Sequence, residues 1–285
     1  MYKAQSFRFA RSQRKSLLLG LSSGAACFYL STLVRSAFQT RDATVTVGTS
    51  ELHGSSTLEM HVAVVKACLG PAFEGITRIS LDNGLRYART HHYEFHEVNE
   101  TTFPEATFFI PPAWVKIAYL HSLLGKDMPY RWILWLDCDV LILKLDVSVQ
   151  SILNELNVTT QHELIFTEDD PQNKMIAPFN SGVVLARNSR WVYHELAHVL
   201  RMASQQEIRN HGLWEQEALR RLHVHNEHDE QNRFLISPMR WKFNAFDRLA
   251  EERADTVMWH RTACRKQPEC DGKFIRKAAQ IRPLL

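Results

Sequence analysis

Asp137 and Asp139 are the residues whose types and spacing point most directly to chemistry. They close the run Trp132-Ile133-Leu134-Trp135-Leu136-Asp137-Cys138-Asp139, where an uncharged apolar stretch ends in two carboxylates one residue apart. A short apolar run of this kind reads as a strand buried on both faces, the type found inside a parallel sheet. If the backbone stays extended through Asp139, both carboxylates point the same way, because strand side chains repeat every two residues. Two anions brought together at a sheet edge repel, and they need a cation or a proton to coexist. A hard divalent metal carrying a phosphate is the natural third party. The alternative is a strand-end turn in which both carboxylates cap a helix or meet Lys144 and arginines.

Such a pair needs a scaffold that delivers it to a rim. A strand is expected at 60–67 (MHVAVVKA), a helix from Asp82-Asn83 to about residue 90, and a short strand at 93–98. Pro111-Pro112 opens a helix over about 113–124, since proline suits a first turn. Beyond the acidic strand, further strands are expected at 164–167 and 182–186. Ser189 caps a helix to about residue 203, and another helix covers 214–222. Short extended pieces are expected at 233–236, 240–243 and 256–259. Strands alternating with helices imply an α/β fold with a mainly parallel sheet flanked by helices. The chain has no internal repeat and no glycine-rich phosphate loop.

The 285 residues carry a net charge of +3, and the basic excess sits at the start of the chain. Residues 1–41 lack Asp and Glu but hold Lys3, Arg8, Arg11, Arg14, Lys15, Arg35 and Arg41. The remainder is near neutral or slightly acidic, which argues against nucleic acid as a partner. Residues 16–34 (SLLLGLSSGAACFYLSTLV) are uncharged and follow the basic stretch, so they read as a signal-anchor with residues 1–15 on the cytoplasmic side. A cleaved signal and an organelle transit peptide are the alternatives. A polar stem over 35–57 then leads to a catalytic domain over 58–285, of ample size for one α/β core. The sequons at Asn99 and Asn157 fit a secretory route and a glycoprotein. This reading places the chain in the Golgi membrane as a single-pass type II protein. Cys264 and Cys270 are close enough in sequence to pair.

The segment Asn83-Gly84-Leu85-Arg86-Tyr87-Ala88-Arg89-Thr90-His91-His92-Tyr93 resembles a helix-to-strand motif of glycosyltransferase family 34. That family contains fungal α-galactosyltransferases and α-1,6-mannosyltransferases and plant xyloglucan xylosyltransferases. Further blocks are similar and follow the family's order: Trp114-Val115-Lys116-Ile117, Trp132 to Asp139, Phe179-Asn180-Ser181-Gly182 through Trp191, and Glu215-Gln216-Glu217-Ala218-Leu219. Arg240-Trp241-Lys242-Phe243-Asn244-Ala245, then His260 and Cys264, complete the set. The resemblance covers roughly residues 60–266.

It implies a GT-A fold that binds a nucleotide-diphosphate sugar through Mn²⁺, with Mg²⁺ as the alternative ion, and transfers the sugar to an oligosaccharide or polysaccharide with an α-linkage. Asp137, Asp139 and His260 are then the metal ligands, and an imidazole beside two carboxylates suits Mn²⁺ better than Mg²⁺. Asn180 and Ser181 are expected at the donor sugar, and Glu215 and Gln216 near sugar and acceptor, where the family more often has Asp-Gln. Arg265, where the family usually has Lys, and Lys266 are expected on the diphosphate. Galactose from UDP-galactose is the favoured donor, with GDP-mannose and UDP-xylose behind it. Glu168-Asp169-Asp170 is a competing acidic group for the cleft, and Trp241 and Trp259 are candidates for the acceptor groove or for the core. A non-catalytic subunit of a transferase complex is the rival of another class.

Overall fold

The computed structural model describes residues 60–108, 111–124, 128–172, 177–224, 233–262 and 267–281. The elements are β1 (Val62–Ala67), α1 (Thr77–Thr90), β2 (Glu94–Val98), α2 (Val115–Leu124), β3 (Trp132–Asp137), β4 (Val140–Ile142) and α3 (Val149–Glu155). There follow β5 (Leu164–Glu168), β6 (Phe179–Arg187), α4 (Arg190–Met202), α5 (Glu215–Val224), β7 (Phe234–Ser237), β8 (Ala245–Phe246), β9 (Met258–His260) and α6 (Gln267–Ala279).

Six strands form one sheet in the order β2-β1-β3-β6-β5-β7. The expectation of a mainly parallel sheet is corrected: β6 lies in the middle and runs antiparallel to both β3 and β5, so the sheet is mixed. The physical reason is local. After β5 the chain turns at Asp170-Pro171 and comes back as β6, with no helix between the two strands among the described residues. The remaining pairs, β1 with β2, β1 with β3, and β5 with β7, are parallel. The ends of β1, β3 and β5 therefore share one rim with the start of β6.

Both faces of this sheet are covered. In β1 and β3 alternate residues go to opposite sides. Ala63, Val65, Ile133 and Trp135 pack with α2, α4 and α5, while Val62, Val64, Leu134 and Leu136 pack with Tyr87 of α1 and Ile152 of α3. That two-sided burial explains the near-continuous apolar run before Asp137. A smaller sheet, β4-β9-β8, sits beyond the rim and pairs Val140 with His260.

The anchor expected at 16–34, with the tail and stem on either side of it, lies outside the described residues. Among the described residues no helix is long and apolar enough to cross a membrane. The 14-residue α1 spans about 21 Å against a hydrocarbon core of about 30 Å, and it carries Arg78, Asp82, Arg86 and Arg89. The membrane-anchored reading, membrane as a partner and the Golgi membrane location are corrected accordingly and are not carried further.

Candidate metal centre at the sheet rim

Asp137 ends β3, and Asp139 stands between β3 and β4. The pairing of β4 with β9 brings His260 alongside, so that ligand atoms of Asp137, Asp139 and His260 all lie within 4.8 Å of one another. His260 Nε2 is 3.2 Å from Asp139 Oδ1. The imidazole is oriented from behind. Asn244 donates through Nδ2 to Thr167 Oγ1 at 3.1 Å and to Asn180 Oδ1 at 3.0 Å, which turns its own Oδ1 towards His260 Nδ1 at 2.9 Å. Nδ1 must then carry a proton, which leaves Nε2, on the side of the aspartates, to bind a cation or, when protonated, to donate to Asp139. Two carboxylate oxygens and one imidazole nitrogen form a donor set that could hold a divalent metal ion. The residues fit such an ion.

Burial raises the Asp139 carboxyl, but the charge and hydrogen bond of His260, with Arg261 behind, outweigh it and leave the pKa below its usual value. Asp137 accepts from Trp135 Nε1 at 2.8 Å and meets Lys116 Nζ at 3.1 Å. Lys116 projects from α2 into the rim and is buried. Its ammonium also donates to Glu215 Oε1 at 2.9 Å, Ser181 O at 2.6 Å and Ser181 Oγ at 3.2 Å. Burial pulls this lysine down, yet Asp137 and Glu215 together hold its pKa above the ordinary value.

Glu215 and Gln216 open α5, and both are buried rather than solvated. Ser181 Oγ donates to Glu215 Oε1 at 2.9 Å, and Ser181 N to Gln216 Oε1 at 2.9 Å. Gln216 Nε2 in turn donates to Asp169 Oδ2 at 3.0 Å, which fixes its amide orientation. Glu168-Asp169-Asp170 is therefore no exposed turn. Asp169 braces Gln216, while Asp170 pairs with Arg248. Asn180 Oδ1 accepts from Gly182 N as well as from Asn244, so its carbonyl is occupied in the brace behind His260. Trp259 packs in the core against Phe274, and Trp241 lies under Arg253. Arg265, Lys266 and Cys264 lie outside the described residues.

Lys116 falls within one of the family-like blocks, yet sequence reasoning gives it no role. The signal was there: it is the only Lys, Arg, Asp or Glu in a mainly apolar helix that precedes the acidic strand. Asn244 likewise lies in such a block without a role, and nothing in its neighbours marks it.

A model of the galactosyl transferase GMA12/MNN10 family matches residues 62–271. The chain belongs to that family. Over 70 residues it is 31% identical to the probable alpha-1,2-galactosyltransferase gmh1 of Schizosaccharomyces pombe, a match covering 25% of this chain and 20% of that relative. The crystal structure of a glycosyltransferase involved in the glycosylation of the major capsid of PBCV-1 superposes with a TM-score of 0.60 at 14% identity, covering 76% of this chain and 99% of the other. At that identity the likeness is one of fold, and the fold is GT-A-like. Family and fold agree: the chain belongs to a glycosyltransferase family and has a GT-A-like fold.

Proposed function

We propose that this chain transfers a sugar, galactose first among the candidates, from a nucleotide-diphosphate sugar to a glycan acceptor in a Mn²⁺-dependent reaction that retains anomeric configuration. The observation that carries the reading is the convergence of Asp137, Asp139 and His260 at the rim where ligands of α/β sheets bind. The metal, held by these three side chains, would supply Lewis-acid stabilisation of charge on the departing diphosphate. Beside it, the buried Lys116–Glu215 pair and Gln216, locked between Asp169 and Ser181, form a rigid polar wall for orienting sugar hydroxyls. Glu215 is engaged by both Lys116 and Ser181, which suits a positioning role better than that of a free nucleophile and favours departure and attack on one face. Arg265 and Lys266 remain the proposed diphosphate contacts.

The test is release of nucleotide from UDP-galactose, GDP-mannose and UDP-xylose, with and without Mn²⁺. Asp137→Ala and Asp139→Ala are expected to lower turnover by more than about a hundredfold, because even outer-shell partners of a metal are worth about 10–100-fold. Normal Mn²⁺-dependent turnover in either variant refutes the metal assignment.

A further inference from the structure

Behind the acidic pair, on the α1 side of the sheet, lies a lysine that the proposed reaction does not use. Lys66 is wholly buried near the end of β1. Its Nζ donates to Ser80 O at 3.0 Å, Ser80 Oγ at 2.7 Å and Val140 O at 2.6 Å, which uses all three hydrogens of an ammonium. Ser80 Oγ passes its own hydrogen to Cys138 O at 2.5 Å. Asp139 O, between them, accepts from Arg261 N at 2.9 Å. Three successive carbonyls around Asp139 are thus each held, two of them by the Lys66–Ser80 couple. Further along, Asn83 takes both the N–H and the carbonyl of Ile142.

We propose that Lys66 and Ser80 are positioning residues of the metal centre, fixing the backbone that carries Asp139 by holding the carbonyls of its two neighbours. The inference rests on the metal reading above and deepens it. The geometry does more than satisfy a stray polar group. A lysine buried merely for packing needs acceptors of any origin, whereas this one and its serine grip residues 138 and 140. Asp139 and Asp137 also act on its charge. Burial lowers Lys66 to about 7, and the two carboxylates oppose that fall.

The experiment measures Mn²⁺ alone, by the electron paramagnetic resonance signal of the free ion, against the full chain and three folded variants. Ser80→Ala is expected to raise the Kd about 10–100-fold, the usual size of an outer-shell effect, and Lys66→Met at least as much. Val65→Ala, on the opposite face of the same strand, leaves a core cavity and is the control. It should lower the melting temperature without moving the Kd. An unchanged Kd in folded Ser80→Ala overturns the proposal, and so does an equal rise in Val65→Ala. If the unmodified chain itself holds no Mn²⁺, the metal reading fails and this inference falls with it.

Discussion

Gly182 shows how closely single residues are fitted around His260. A Cβ at that position would stand 2.2 Å from His260 Cε1, 2.8 Å from its Nδ1 and 3.0 Å from Asn180 Oδ1. The imidazole cannot swing clear while Asn244 holds Nδ1. Gly182→Ala is therefore expected to displace His260 and weaken Mn²⁺ binding by about tenfold or more, with β6 still formed. Calorimetric titration with Mn²⁺ checks it, and an unaltered affinity would show that His260 is not a ligand. Legibility at this scale followed local context. Asp137 and Asp139 stood out because an apolar strand ends in them. His260 did not, being one of 14 histidines, and only the family resemblance singled it out. Lys66 and Lys116 are each a solitary charge in an apolar element, a pattern in the amino-acid sequence that by itself marks a buried cation.

Elements were legible where periodicity and caps agreed. Ser189 caps α4 by accepting from Val192 N, as its position before an apolar-periodic stretch predicts. The segment Arg240–Phe243 reads as extended because apolar and basic residues alternate, yet it forms one helical turn. Tertiary bonds decide it: Arg240 pairs with Glu251 and reaches Asp169 O, and Thr256 bonds Trp241 O. The α2–α4 packing carries a pH dependence of its own. His121 stacks on Tyr193 at 4.3 Å, and its Nε2 is buried without a partner among the described residues. Burial, with His194 and Arg201 adding to it, lowers its pKa from 6.5 to about 4. On acidification the unfolded chain takes up this proton first. The contribution to stability is intact above about 6.5, is lost progressively as pH falls, and is gone by about 4, where the folded side chain protonates too. His121→Phe should flatten the dependence of melting temperature on pH across that window. A slope identical to that of the unmodified chain would remove His121 as its cause.

At the scale of the whole molecule, the sheet register ties stability to the metal centre. β1 and β3 pair in parallel with Ala67 opposite Asp137, so the next residues, Cys68 and Cys138, face each other with Cα atoms 4.8 Å apart and form a disulfide. Proximity along the chain suggests a Cys264–Cys270 pair but cannot reveal the Cys68–Cys138 one, because strand adjacency is invisible in a linear spacing. Cys270 is also in a disulfide, while Cys264 lies outside the described residues. The Cys68–Cys138 link closes a 70-residue span that includes α1, β2, α2 and β3. By the chain-entropy argument, a loop of that length stabilises the fold by about 4 kcal/mol. It also anchors the residue lying between Asp137 and Asp139. Replacing both cysteines by alanine should therefore do two things at once: lower stability in denaturant by about 2–5 kcal/mol, and weaken Mn²⁺ binding at a temperature where the variant is still folded. Loss of stability with the affinity unchanged would mean that the hydrogen bonds of Lys66 and Ser80 hold Asp139 without help, and that the covalent link serves the fold alone. Loss of both would place fold stability and metal affinity under one thiol–disulfide equilibrium, set by the two strands that meet at the rim.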